Sequence, residues 1–207
     1  MEKQIYLKAE NFTAVNTSVE NTVLDEIPVL RVAKKEKINQ YDENTYAKVT
    51  DLEFHNGTIE VKMLSRLLPD APDFARGFIG IAYRTNEADS EFESIYVRPT
   101  NGRGCTDPIR KSHGCQYFSY PGYTFNYFRE YGITKYEAPV DIGLDEWFTL
   151  KAIIENEQAE FYINGGRDPI LVVKDMKHGK GCHGSVGIFV DIGTEAFISE
   201  LKVVCTD

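Results

Sequence analysis

Asn56-Gly57-Thr58-Ile59-Glu60-Val61-Lys62-Met63-Leu64 is the stretch that decides the fold class. Asn-Gly is a strong turn signal, and the residues after it alternate apolar with polar at a period of two, as in a strand with one buried face. The same pattern recurs on both sides. Upstream, Val29-Leu30-Arg31-Val32-Ala33 follows Pro28; downstream, residues 77–83 read GFIGIAY, apolar on both faces as a central strand requires. Residues 94–98, 148–154, 159–163, 170–173, 185–190 and 196–204 continue the series, so at least nine strands are expected. No window of a dozen residues carries an uninterrupted apolar stripe at i, i+3, i+4, i+7. The expected class is therefore all-β, a two-sheet antiparallel sandwich of jelly-roll type.

Composition limits the rest. At 207 residues and 23.5 kDa the chain suits a single domain over 1–207, with the polar residues 1–27 as a lead-in or first edge strand. A formal net charge of −9 repels a phosphate backbone, so no nucleic-acid partner is expected. The first thirty residues are interrupted by charges from Glu2 to Glu26, so neither a membrane span nor a signal peptide is read there. As written the chain reads as cytoplasmic; a secreted protein whose leader had been removed would look the same. The four cysteines are too few for a disulfide scaffold and are expected as thiols, with Cys105 and Cys115 the pair able to close a short loop in an oxidising compartment.

The C-terminal third carries Glu146-Trp147-Phe148-Thr149-Leu150-Lys151, then Ala159-Glu160-Phe161-Tyr162-Ile163-Asn164-Gly165, then Gly184-Ser185-Val186-Gly187-Ile188-Phe189 and Ala196-Phe197-Ile198-Ser199-Glu200-Leu201-Lys202-Val203. With Phe54-His55-Asn56-Gly57 and Ser94-Ile95-Tyr96-Val97-Arg98-Pro99 upstream, this run resembles the laminin-G-like and 3-keto-disaccharide-hydrolase-like domains of the concanavalin A-like lectin/glucanase superfamily. Those domains have a W-x-x-L/V-K strand, a Y/F-x-N-G hairpin, a G-x-V/I-G strand and a closing F-x-x-L-x-V strand. The likeness runs from about Asp51 to the end and implies a concanavalin A-like sandwich with Trp147 packed beneath the sheet. It implies no single activity, because the superfamily holds lectins, hydrolases, lyases and adhesion modules.

Candidate chemistry gathers in residues 91–131, which hold ten of the 25 aromatic side chains and four of the nine arginines. Retaining glucanases of the superfamily place three acids on one strand. Here Glu91 and Glu93 share a strand face by their spacing, roughly 5 to 7 Å apart, but the third carboxylate is replaced by serine, isoleucine or tyrosine. His113, with arginines and tyrosines around it, is instead the kit of a polysaccharide lyase, in which arginine neutralises a uronate and histidine or tyrosine moves the proton. Alternation over 94–98 turns Ile95 and Val97 to the core, and Tyr96 and Arg98 to the open side, where Arg84 joins them. The connection over 99–123 is long enough to be functional and contributes Asn101, Arg110 and Tyr123, with Arg129 beyond it.

Tyrosine faces stack on sugar rings, and arginine forks hold hydroxyls or a carboxylate. The leading expectation is carbohydrate recognition without catalysis, with an oligo- or polysaccharide partner. The alternatives are a glycoside hydrolase or polysaccharide lyase in the same groove, and a protein-interaction module. No metal or cofactor is expected: His113-Gly114-Cys115 and Cys182-His183 lack zinc spacing, and the acidic turn over 86–91 is the one place that offers oxygens for calcium.

Overall fold

A computed structural model describes residues 2–35 and 40–206. Its strands are β1 (Glu2–Gln4), β2 (Phe12–Val15), β3 (Thr17–Leu24), β4 (Ile27–Lys34), β5 (Tyr46–Val49), β6 (Gly57–Leu67), β7 (Ile79–Thr85) and β8 (Phe92–Val97). They continue as β9 (Cys115–Tyr120), β10 (Glu137–Ala138), β11 (Trp147–Glu155), β12 (Gln158–Ile163), β13 (Leu171–Val173), β14 (Ser185–Val190) and β15 (Thr194–Cys205). One antiparallel sheet runs β13-β12-β11-β6-β15-β4-β3, with β1 added to β15; the other runs β10-β9-β8-β7-β14-β5-β2. This is the two-sheet sandwich read from the alternation.

The strand β6 shows why. Ile59, Val61 and Met63 are buried, while Thr58, Glu60 and Lys62 between them stay partly exposed. Its two neighbours come from far along the chain: Val61 pairs with Leu150 of β11 and with Leu201 of β15. By contrast β7, β8 and β14 are buried along their whole length, so both faces of the middle of the second sheet are covered. One apolar cluster joins the sheets through Ile59, Val61, Ile81, Ile95, Leu150, Ile188 and Leu201.

Several expectations change at the level of elements. Residues 2–24 form three strands, and β2 and β3 each end a sheet. The connection over 99–123 is not one loop. It holds a 3₁₀ turn at Pro99–Asn101, a short helix α1 (Pro108–Ser112) and the buried strand β9, which pairs with β8 through Tyr96↔Gln116 and Phe92↔Tyr120. A second short helix, α2 (Phe125–Glu130), follows. Trp147 is half-buried against Val29, Leu64 and Phe197 outside the main cluster, and Phe148 takes the core position because adjacent strand residues point to opposite faces. The four cysteines are free thiols, and burial pushes Cys115 up to about 12.

Candidate functional site

Antiparallel pairing of β7 and β8 separates the residues expected to share one patch. Ile79 faces Val97 and Tyr83 faces Glu93, so Arg84 and Arg98 project beyond opposite ends of the pair, roughly 20 Å apart at ~3.3 Å per residue. Arg84 is fully buried. Its guanidinium donates to the carbonyl oxygens of Asn156 (2.7 Å), His55 (2.8 Å) and Gly179 (3.3 Å) and to Asn56 Oδ1 (3.1 Å). Four protein acceptors leave Arg84 tying three loops together, away from any open groove.

The acid pair is also divided. Glu91 is exposed at the hairpin, whereas Glu93 is 0% exposed and accepts from Tyr117 Oη (2.6 Å), His178 N (2.9 Å) and the Ser119 hydroxyl. Glu93 is thus sealed beneath the segment that carries His178, and the two carboxylates do not face one cleft. Glu91 lines a separate acidic cavity with Glu53, Glu87 and His178. Tyr96 is 1% exposed, because the face of β8 opposite Ile95 and Val97 is covered by an aromatic layer in which it contacts Phe78, Phe118 and Phe189. Tyr123 packs edge-on to Tyr127, with Lys177 Nζ 6.0 Å from its ring.

The remaining candidates come together. Arg98, Asn101, Arg110, His113 and Arg129 line one cavity of about 260 Å³, with Tyr41, Phe74, Arg76, Phe78, Ile109 and Phe125. The chain builds it from the end of β8 outward. Arg98 is locked where β8 turns into the 3₁₀ segment: its N–H donates to Gly114 O (2.7 Å), and its carbonyl accepts from Asn101 N (2.8 Å). The buried guanidinium donates through Nη1 to Glu137 Oε1 and to His113 O (3.0 Å each), and through Nη2 to Tyr96 Oη (3.0 Å). Burial alone would weaken its charge, but the oxygens of Tyr96, Glu137 and Asp42 outweigh that and hold Arg98 above its ordinary value.

The two short helices supply the rim. Asp107 caps α1 by accepting from Ile109 N and Arg110 N, and Pro108 stands in its first turn. This aims Arg110 back at Asn101, whose Oδ1 it reaches at 3.1 Å, while Asn101 Nδ2 donates to His113 O (3.1 Å). No side chain of its own caps α2; Asp42 Oδ2 accepts from Phe125 N at 2.6 Å instead. That contact from the distant residue 42 holds Phe125 and Arg129, one helical turn apart, so that the Arg129 guanidinium lies 5.4 Å from the Phe125 ring. Burial pushes the Asp42 carboxyl up to about 7. His113 Nδ1 sits 2.8 Å from Glu137 Oε2 without hydrogen-bond alignment.

Tyr41, Phe74, Arg76, Phe78 and Phe125 were not singled out by sequence. The i, i+4 spacing of Phe125 and Arg129 was a usable signal, but nothing in sequence links Tyr41 or the 74–78 segment to Arg98. Chemically the lining offers guanidinium and amide donors beside apolar surface, and Phe74 is 36% and Ile109 71% exposed. It offers no pair of facing carboxylates. Among the described residues no group of three or more His, Cys, Asp or Glu side chains is placed to hold a metal ion.

No protein-family model matches the chain, and no curated protein matches it in sequence. Solved structures share its fold. The carbohydrate binding module CBM66 from Bacillus subtilis is similar at 13% identity and a TM-score of 0.60, over 94% of this chain and 96% of that one. A Bacillus subtilis protein of unknown function with a galectin-like fold matches at 10% identity and 0.54, over 98% and 97%. A candidate glycosyl hydrolase from Parabacteroides distasonis matches at 11% identity and 0.53, over 97% and 91%. At such identities the likeness defines the fold alone: the chain is a two-sheet antiparallel sandwich of the kind those structures share.

Proposed function

We propose that the chain is a carbohydrate-recognising module and that its binding site is the cavity at the Arg98 end of the second sheet. The lining carries this reading. Tyr41, Phe74 and Ile109 offer apolar surface, and Arg76, Asn101 and Arg110 offer donors in the same lining. A sugar ring has a matching C–H face and hydroxyl edge. At about 260 Å³ the cavity falls just below the roughly 300–1,000 Å³ of pockets for drug-sized ligands, so it suits one ring or a chain end. The fold likeness to CBM66, a carbohydrate binding module, points the same way.

Recognition here proceeds without bond cleavage. Glycoside hydrolysis needs two carboxyl groups flanking the scissile bond, and the lining of this cavity holds none. The expected outcome is that members of an oligosaccharide panel raise the melting temperature while incubation releases neither reducing ends nor unsaturated uronate. Phe74→Ala should weaken binding about tenfold, the scale of one lost aromatic contact, with little change in stability. A panel in which no saccharide shifts the melting temperature would remove the reading, and released product would replace binding by catalysis.

A further inference from the structure

The Arg98 cavity collects four guanidinium groups and no carboxylate in a chain whose formal net charge is −9. Arg98 and Arg129 share the single carboxylate of Glu137, at 3.0 and 3.3 Å. The other two have no such partner. Arg110 bonds to neutral oxygens, Asn101 Oδ1 (3.3 Å from Nε, 3.1 Å from Nη2) and Thr100 Oγ1 (3.5 Å). Arg76 spends Nη1 on the carbonyl oxygens of Asp73 and Ala75, both at 2.8 Å. Among the described residues no carboxylate pairs with either. Burial, and next the charges of Arg110 and Arg98, press Arg76 below its ordinary value.

We infer that Arg76 and Arg110 seat an anionic substituent, a carboxylate, sulfate or phosphate, on the saccharide that the cavity binds. The inference rests on the carbohydrate reading only for the carrier of the charge. A neutral sugar would leave both guanidinium groups without a counter-charge, whereas an anion accepts from two forks at once, and charge-assisted bonds are roughly twice as strong as neutral ones. Arg76 comes from the segment before β7 and Arg110 from α1, so the seat exists only in the folded chain.

The test is an array of oligosaccharides in matched pairs, neutral against uronate-, sulfate- or phosphate-bearing, probed with the full chain, beside titration with inorganic sulfate alone. The anionic member should bind about tenfold tighter or more. That preference should disappear in Arg110→Gln and Arg76→Gln and persist in the exposed control Arg167→Gln, with melting temperatures confirming that each variant is folded. Equal binding of both members overturns the anion seat and leaves the carbohydrate reading intact. Sulfate bound through these arginines with no saccharide bound does the reverse. A preference that survives both glutamine variants overturns the assignment, and silence in both arms overturns the two readings together.

Discussion

Arg84, Glu93 and Tyr96 have polar atoms, yet each is buried and satisfied within the protein, Arg84 and Glu93 by distant segments and Tyr96 by Arg98 two residues on. Composition and alternation single out such residues because they look like a presented surface. They do not report whether another segment closes over it. Glu93 makes the difference measurable: it holds Tyr117, Ser119 and the backbone of His178. Glu93→Ala should therefore cost about 3 kcal/mol, since it leaves buried donors unpaired, while Glu91→Ala on the exposed turn should stay within about 0.5 kcal/mol. Urea unfolding of both variants checks this. Equal midpoints would mean that the Glu93 contacts carry no stability.

Strands with one solvated face announce themselves, as β6 and β11 do, and the nine expected strands are all present. Burial on both faces did not hide β7, β8 or β14, whose runs are mostly apolar, but β9 carries Gln116 and Ser119 inside the 99–123 connection with its glycines and prolines; β2 and β3 fall in the polar residues 1–27, expected as a lead-in or one edge strand, and α1 and α2 are too brief for a helical period. Placement of the cavity also depends on the close pairing of β7 and β8. A Cβ on Gly80 would lie 2.0 Å from Ile95 O and 2.6 Å from the Tyr96 Cα. Gly80→Ala should force the strands apart at a cost of about 3 kcal/mol and disturb saccharide binding through Tyr96 and Arg98, whereas Gly104→Ala, with nothing within 4 Å of its Cβ, should be neutral. Thermal melts and a saccharide titration of the pair test this; a Gly80→Ala protein as stable as its parent would contradict the packing.

The whole molecule responds to pH through two carboxyls in unlike surroundings, Asp42 buried and Asp175 about half exposed. Burial raises Asp42 from 3.8 to about 7, so its contribution to stability is fully present below the unfolded value near 4 and is lost as pH rises through about 7. Asp175 runs the other way. Burial opposes its charge, but Lys135, Tyr136 and Lys177 together lower it to about 2, so its contribution is present above pH 4 and is lost as pH falls through 2. Between pH 4 and 8 the Asp42 effect governs the contrast with Asp42→Asn, which is never charged. The variant should gain stability relative to the parent by about 2–4 kcal/mol over that range. Denaturant unfolding at stepped pH reads the difference, and a constant offset would show that Asp42 does not titrate there.

Local pattern was enough for the all-β class and the two-sheet sandwich, because alternation and turn chemistry act over a few residues and survive any long-range arrangement. It also named Arg98, Asn101, Arg110, His113 and Arg129 among ten candidates, beside Arg84, Glu91, Glu93, Tyr96 and Tyr123; those five line one cavity because the strand end, the turn and the two short helices that carry them are near neighbours along the chain. Only the folded chain brought in Tyr41, Phe74 and Arg76, left Arg110 and Arg76 without a carboxylate, and sent Arg84 and Glu93 to the far end of the same strands. Antiparallel pairing assigns opposite ends to residues a few positions past each strand, and burial is decided by segments that sequence distance does not reveal.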